Sequence, residues 1–137
     1  MVEQRCQLYQ SYFELEAFRD PARGDIRVAT GPTTAGLIVP RELAVKAATL
    51  LEPGSVPVYC VGRAVWVFVT GGVPDGFSPR RLSISLFWCG VVPVLSPSVL
   101  VLPTPGVRRR CWMSVPYGPT RPPIREVAAA IIRATTV

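Results

Sequence analysis

The sequence contains no histidine and only one lysine, Lys46, so fourteen of its fifteen basic residues are arginines. Without histidine, the chain cannot build the Ser-His or Cys-His pair that activates a nucleophile in many hydrolases. It also lacks the G-x-x-x-x-G-K-[ST] loop that binds nucleotide phosphates. Only nine residues are acidic, and the net charge is +6. This positive charge favours a polyanionic partner, because the planar guanidinium group suits phosphate.

Cysteine is present but has no motif. The four cysteines are well separated and form no C-x-x-C pair; they are Cys6, Cys60, Cys89 and Cys111. A zinc site in a chain without histidine would need all four of them. We therefore expect buried, reduced thiols, no metal and no cofactor, and a stability that responds neither to reductant nor to chelator.

Charge is absent from residues 82–107, a stretch long enough on paper to cross a bilayer. Four prolines interrupt it, and as one helix it would lose backbone hydrogen bonds that lipid cannot replace. We expect strands of a sheet here, and no membrane partner. The first 25 residues carry five acids and no apolar signal segment, which predicts a cytoplasmic protein.

Apolar periodicity and Pro/Gly positions predict the secondary structure. Helices are expected at 3–19, 42–51, 79–89 and 124–135, and strands at 26–29, 34–39, 56–61, 64–70, 91–95, 99–102 and 110–115. This order predicts an α+β fold in one compact domain, with helices packed on a mostly antiparallel mixed sheet. We expect residues 1–24 to form an N-terminal amphipathic helix and residues 25–137 to form the α+β domain proper.

Several short motifs follow one another in an order that is found in a known family. Thr30-Gly31 and Ala35-Gly36 precede the apolar strand Leu37-Ile38-Val39, and the glycine-led strand 62–68 follows. Residues 101–105 and then Trp112 complete the series. The order over residues 26–115 resembles the N-terminal domain of the bifunctional DNA primase/polymerase family, the prim-pol branch of the archaeo-eukaryotic primases. Small divergent members of that family occur in actinobacteria.

The departures from this family concern its catalytic residues. The family strand closes on D-x-D, whereas this chain has Val39-Pro40-Arg41, and the chain contains no histidine to match the one in the family's G-x-H-x-x-F. Nucleotidyl transfer needs carboxylates that hold divalent metals against the triphosphate. The resemblance therefore implies a catalytically degenerate member that is not an enzyme.

Two functions remain open. The first is nucleic-acid binding through an arginine-rich surface, with tryptophan as a stacking group; its candidate residues are Arg80, Arg81, Arg108, Arg109, Arg110, Trp112, Arg121 and Arg125. Their simpler interpretation is a solvated turn and a core tryptophan. The second is protein interaction, as a homodimer or an adaptor, through surplus apolar surface. Its candidates on the N-terminal segment are Leu8, Tyr12, Phe13, Leu15 and Phe18.

Overall fold

The chain forms two antiparallel sheets and four helices, and the computed structural model describes all residues 1–137. In chain order the elements are α1 (Val2–Ser11), β1 (Ala17–Arg19), β2 (Ile26–Thr30), β3 (Ala35–Pro40), α2 (Arg41–Thr49), β4 (Val58–Val61), β5 (Val65–Thr70), α3 (Pro79–Phe87), β6 (Val92–Val94), β7 (Ser98–Leu102), β8 (Arg110–Ser114) and α4 (Ile124–Ala134). The α+β fold class predicted from the sequence is confirmed.

The five-stranded sheet has the order β6-β3-β5-β4-β8, so β5 is its central strand. Successive side chains of a strand point to opposite faces. Phe68 accordingly enters the core on one face of the sheet, while Val67 and Val69 enter the core on the other. The apolar run of β5 follows from this position, because its last four residues are buried on both faces and Val65 and Trp66 are half-buried.

Three helices cover one face of this sheet. Leu37 and Val39 of β3 pack there with Leu86 of α3 and Ile131 of α4, and all four are fully buried. We call this the helical core. Burying one such side chain stabilises the fold by about 1.5–3 kcal/mol.

The three-stranded sheet β1-β2-β7 covers the opposite face. Val28 and Leu100 from this sheet pack against Tyr59 and Val67 of the larger sheet, and Tyr9 of α1 completes this second core. Gly36 makes close packing possible, since a Cβ atom at this position would lie 2.7 Å from Leu100 Cδ2. The molecule therefore has three layers: helices, the five-stranded sheet, and the three-stranded sheet with α1.

The predicted helix over 3–19 is shorter in the structure and ends at Ser11. Glu14 has a positive φ of 50°, and residues 17–19 form β1, which pairs with β2. The apolar residues of this segment have helical spacing, but they are divided between α1 and the turn and strand β1 that follow it. Phe13 and Leu15 turn into the second core beyond the end of the helix.

The strands near the C-terminus also differ from the expectation of one sheet. Strand β7 pairs with β2 and strand β8 pairs with β4, so these two neighbours in sequence belong to different sheets and form no hairpin. The uncharged stretch 82–107 contains most of α3 together with β6 and β7. None of the four helices has the length and apolar character needed to span a bilayer.

Turn and capping residues mark the boundaries of several elements. The predicted strands at 56–61 and 64–70 appear as β4 and β5, which form a hairpin around Gly62, whose φ is +59°. The side chain of Ser78 caps α3 by accepting a hydrogen bond from the Arg81 backbone N–H at 3.2 Å. Capping of this kind satisfies one of the free N–H groups at a helix start.

One close contact makes a test of the packing. A Cβ atom at Gly72 would lie 2.3 Å from the Gly31 carbonyl oxygen, so the chain after β5 lies directly on the β2–β3 turn. We predict that Gly72→Ala lowers the free energy of unfolding by about 1–3 kcal/mol, because backbone must move to admit the methyl group. Chemical denaturation would measure this loss.

Gly31→Ala is the matched control, because a Cβ atom at Gly31 has no neighbour within 4 Å. Its effect is expected to stay within about 0.5 kcal/mol. Equal effects of the two substitutions would contradict the close packing of this turn.

Candidate functional site

A concave surface of about 390 Å³ lies beside the loop that joins β7 to β8. Three arginines line it: Arg5 from α1, Arg108 from the loop, and Arg110 from the start of β8. Trp112 lines it as well, and no acidic residue does. We call this surface the arginine cleft. Like charges converge there although α1 and β8 are far apart in the sequence.

The loop that carries Arg108 is fixed because it crosses from one sheet to the other. At its start, the buried Thr104 Oγ1 accepts a hydrogen bond from the Ile26 backbone N–H at 3.0 Å. At its end, the Arg109 carbonyl accepts from the Gly62 backbone N–H at 2.7 Å. The loop is thus attached to both sheets at its base, while Arg108 and Arg109 remain exposed.

A chain of two hydrogen bonds holds the floor of the cleft together. The Trp112 Nε1–H donates to Tyr9 Oη at 2.9 Å, and the Tyr9 hydroxyl donates to the Pro103 carbonyl at 2.7 Å. The Trp112 ring also meets the rings of Tyr9 and Tyr59 edge-on, with centroids 6.2 and 5.4 Å apart. Helix α1, strand β8 and the loop are therefore positioned by one buried hydroxyl.

The arginines of the cleft form no salt bridges. Both salt bridges of the structure involve Arg27, with Asp20 at 3.3 Å and Asp25 at 2.8 Å, and neither lies in the cleft. Beneath the cleft, burial raises the pKa of the Tyr59 hydroxyl, an effect that the nearby positive charge of Arg110 opposes. Tyr59 is therefore neutral at physiological pH, and no charge in the floor compensates the arginines.

The other predicted arginines do not join this cleft. Arg80 and Arg81 begin α3, which packs against β6 at the opposite edge of the five-stranded sheet from β8. Arg125 is exposed at the start of α4, in the helical layer. The arginine-rich surface expected from the sequence is thus divided between two edges and two layers.

Arg121 has a structural contact of its own. Its guanidinium group donates to the Phe13 carbonyl at 3.0 Å and to the Thr33 carbonyl at 3.3 Å. Burial lowers the pKa of this arginine, and the negative charge of Glu14 opposes that shift. The side chain joins the segment before α4 to two distant loops, so part of its hydrogen-bonding capacity is used inside the molecule.

Two of the apolar interface candidates lie inside the molecule. Phe13 and Leu15 are each 5% exposed and belong to the second core, so they cannot contact a partner. Leu8, Tyr12 and Phe18 are exposed, at 43, 55 and 42%. Only these three candidates remain available at the surface.

A more exposed apolar surface lies on α3 and was missed from the sequence. Ile84, Phe87 and Trp88 are 54, 68 and 83% exposed, and they line a shallow concavity with Arg80. Leu82 and Leu86 of the same helix face the helical core. The sequence of this short helix has apolar residues on two sides, whereas packing on the core requires only one apolar side. The second apolar side could therefore have been noticed.

In the sequence, Val39 and Arg41 stand where the resembled family has its metal-binding acids. Val39 is fully buried in the helical core, and Arg41 is the first residue of α2. No three Cys, Asp or Glu side chains come close enough to share a metal ion.

Comparison with known proteins returns nothing: no family model, no curated protein and no solved structure matches this chain. The geometry of the cleft and of α3 is therefore the basis for any functional conclusion.

The hydroxyl of Tyr9 can be tested directly. We predict that Tyr9→Phe lowers the free energy of unfolding by about 1–3 kcal/mol, because it leaves the Trp112 Nε1–H and the Pro103 carbonyl without their partner. Denaturant titration followed by tryptophan fluorescence would measure the loss. Tyr12→Phe removes a hydroxyl from a residue that is 55% exposed and serves as the control. A loss of similar size in both variants would contradict the role of the hydrogen-bond chain.

Proposed function

We propose that this protein is a non-catalytic, primase/polymerase-like protein that binds nucleic acid through the arginine cleft. The observation that carries the proposal is the convergence of Arg5, Arg108 and Arg110 on one concave surface without an acidic side chain. A folded chain gains nothing in stability from bringing three like charges together. A ligand with closely spaced negative charges compensates that repulsion.

The chemistry of the cleft favours a phosphate backbone. Guanidinium groups bind phosphate oxygens through two parallel hydrogen bonds, and their charge persists at every physiological pH. The half-buried ring of Trp112 borders the same surface and offers apolar contact to a sugar or base. Sequence preference is not expected, since the cleft has arginines for phosphates but no set of amide or carboxylate groups for base edges.

The primase/polymerase relationship forms the second half of this proposal. It rests on the order of short motifs in the sequence, from Thr30-Gly31 to Trp112. Because Val39 and Arg41 occupy the ligand positions, we propose that nucleic acid is bound without nucleotide transfer. Single-stranded DNA is the simplest probe of such a surface.

The test compares two charge-matched double variants. Arg5→Gln with Arg108→Gln removes two charges from the cleft, whereas Arg80→Gln with Arg81→Gln removes two charges from α3. Fluorescence anisotropy with a labelled single-stranded oligonucleotide would measure affinity across a salt series. For the cleft variant we expect the slope of log K against log salt to fall by about 1.4, because each contact with a single strand contributes roughly 0.7. The α3 variant is expected to retain the wild-type slope.

Equal losses in the two variants would show that net charge alone attracts the oligonucleotide. An unbound wild-type protein at low salt would contradict the proposal outright. Thermal melting of all three proteins controls for folding, since surface substitutions change stability by no more than about 0.5 kcal/mol.

A second candidate function, protein interaction, is favoured by the exposed face of α3. We propose that Ile84, Phe87 and Trp88 dock a partner segment whose apolar side chains are flanked by carboxylates. The charges argue for such a partner: α3 contains Arg80 and Arg81 and no acid. A second copy of this chain is less suitable, because a two-fold contact pairs this patch with itself and α3 has no carboxylate to offer the arginines.

Selection from a displayed peptide library would test this docking surface. Enriched peptides are expected to combine acidic and aromatic residues, and Phe87→Ser with Trp88→Ser should abolish their binding. Leu8→Ser with Tyr12→Ser removes similar exposed apolar side chains from α1 and is the control. A dimer in sedimentation experiments that the α3 variant dissociates would instead identify a second copy as the occupant.

A further inference from the structure

We propose that Cys60 and Cys111 form a reversible intramolecular disulfide that joins β8 to β4. The register of these two strands places the cysteines directly opposite each other. Residues opposite each other in an antiparallel pair have their side chains on the same face. The two thiols are therefore neighbours, although the sequence separates them widely.

The ladder beside the pair defines its geometry. The Gly62 N–H bonds to the Arg109 carbonyl, and hydrogen-bonded pairs recur every second residue, so Cys60 and Cys111 form a hydrogen-bonded pair. The Cα atoms of such pairs are about 5.5 Å apart, within the range of roughly 4.4–6.8 Å found in disulfides. Their Cβ atoms are about 5.5 Å apart, roughly 1.7 Å farther than in an average disulfide.

The position of β8 allows this remaining distance to close. Strand β8 is an edge strand and pairs only with β4, so it can move toward β4 without breaking other pairings. The resulting bond is strained and lies at the surface. Strained and exposed disulfides are the readily reduced ones, which makes this bond reversible.

Exposure selects this pair among the four cysteines. Cys111 is exposed and Cys60 is partly exposed, so an oxidant can reach them. Cys6 is only 2% exposed in the second core. Cys89 follows α3, at the other edge of the sheet, and has no cysteine opposite it.

The oxidant we propose is a low-molecular-weight disulfide. The Cys111 thiolate attacks it, forms a mixed disulfide and releases one small thiol. The Cys60 thiolate then attacks Cys111 Sγ and releases the second small thiol. Two protein thiols are thereby oxidised to one disulfide, and one small disulfide is reduced to two thiols, with the two protons passing to the leaving thiolates.

This pairing changes the expectation drawn from the sequence, where dispersed cysteines predicted a stability independent of reductant. The bond would link β8, the strand that carries Arg110 and Trp112, covalently to β4, its only neighbour in the sheet. It stands independently of nucleic-acid binding, since it follows from strand register alone.

The experiment equilibrates the wild-type protein with oxidised and reduced glutathione and then blocks free thiols. Trypsin separates the four cysteines into different peptides, because basic residues lie between all of them. We expect the blocked protein to carry two fewer thiol adducts than fully reduced protein blocked after unfolding, and to yield a linked pair of tryptic peptides that contain Cys60 and Cys111. The oxidised protein should melt several degrees higher than the reduced one, because the link restricts the unfolded chain.

Three single variants complete the test. Cys89→Ser should form the same link as the wild type, whereas Cys60→Ser and Cys111→Ser should form none and lose the shift in melting temperature. Cys111 is exposed, so its replacement leaves the core intact even if Cys60→Ser disturbs folding. A wild-type protein that carries only glutathione on Cys111, or that links any other pair, would overturn the proposal.

Discussion

Burial of the five-stranded sheet on both faces is the constraint on which the other features depend. Phe68 of β5 enters the helical core while Val67 and Val69 enter the second core, so this buried part of the central strand has no position for a charged side chain. A charge buried there without a partner would cost several kcal/mol. The chain therefore places its charges at the rim, in edge strands, helix starts and loops. The arginine cleft lies at such a place, where β8 ends the sheet and the β7–β8 loop leaves it.

Local signals in the sequence were sufficient for elements whose boundaries depend on neighbouring residues. Ser78 with Pro79 marks the start of α3, and Gly62 marks the β4–β5 turn. Local signals were insufficient where tertiary contacts decide the conformation of a segment. The spacing of Leu8, Tyr12 and Leu15 matches a helix. Residues 17–19, however, form strand β1, because they pair with β2. Strand β7 likewise pairs with the distant β2, a choice that no local pattern encodes.

The same distinction applies to the candidate site. Arg108, Arg110 and Trp112 could be selected by residue type, because arginine and tryptophan suit phosphates and bases. Their association with Arg5 depends on the placement of α1, which the Tyr9 hydroxyl establishes through Pro103 and Trp112. Arg121 shows the opposite case, since its neighbours Phe13 and Thr33 come from segments far away in the sequence. Residue type predicts the chemistry of a side chain, but only the fold determines whether that chemistry is already used.

Edge strands offer a simpler explanation for some of these arginines. An unpaired edge can recruit another chain, and charged side chains on it prevent that association. Arg110 at the start of β8 fits this explanation, but Arg5 does not, because it lies on a helix and still faces the same concave surface. Arg108 also lies outside the strand, in the loop before it. Protection of the edge therefore accounts for one guanidinium group of the cleft, and the proposed ligand accounts for the convergence of the other two.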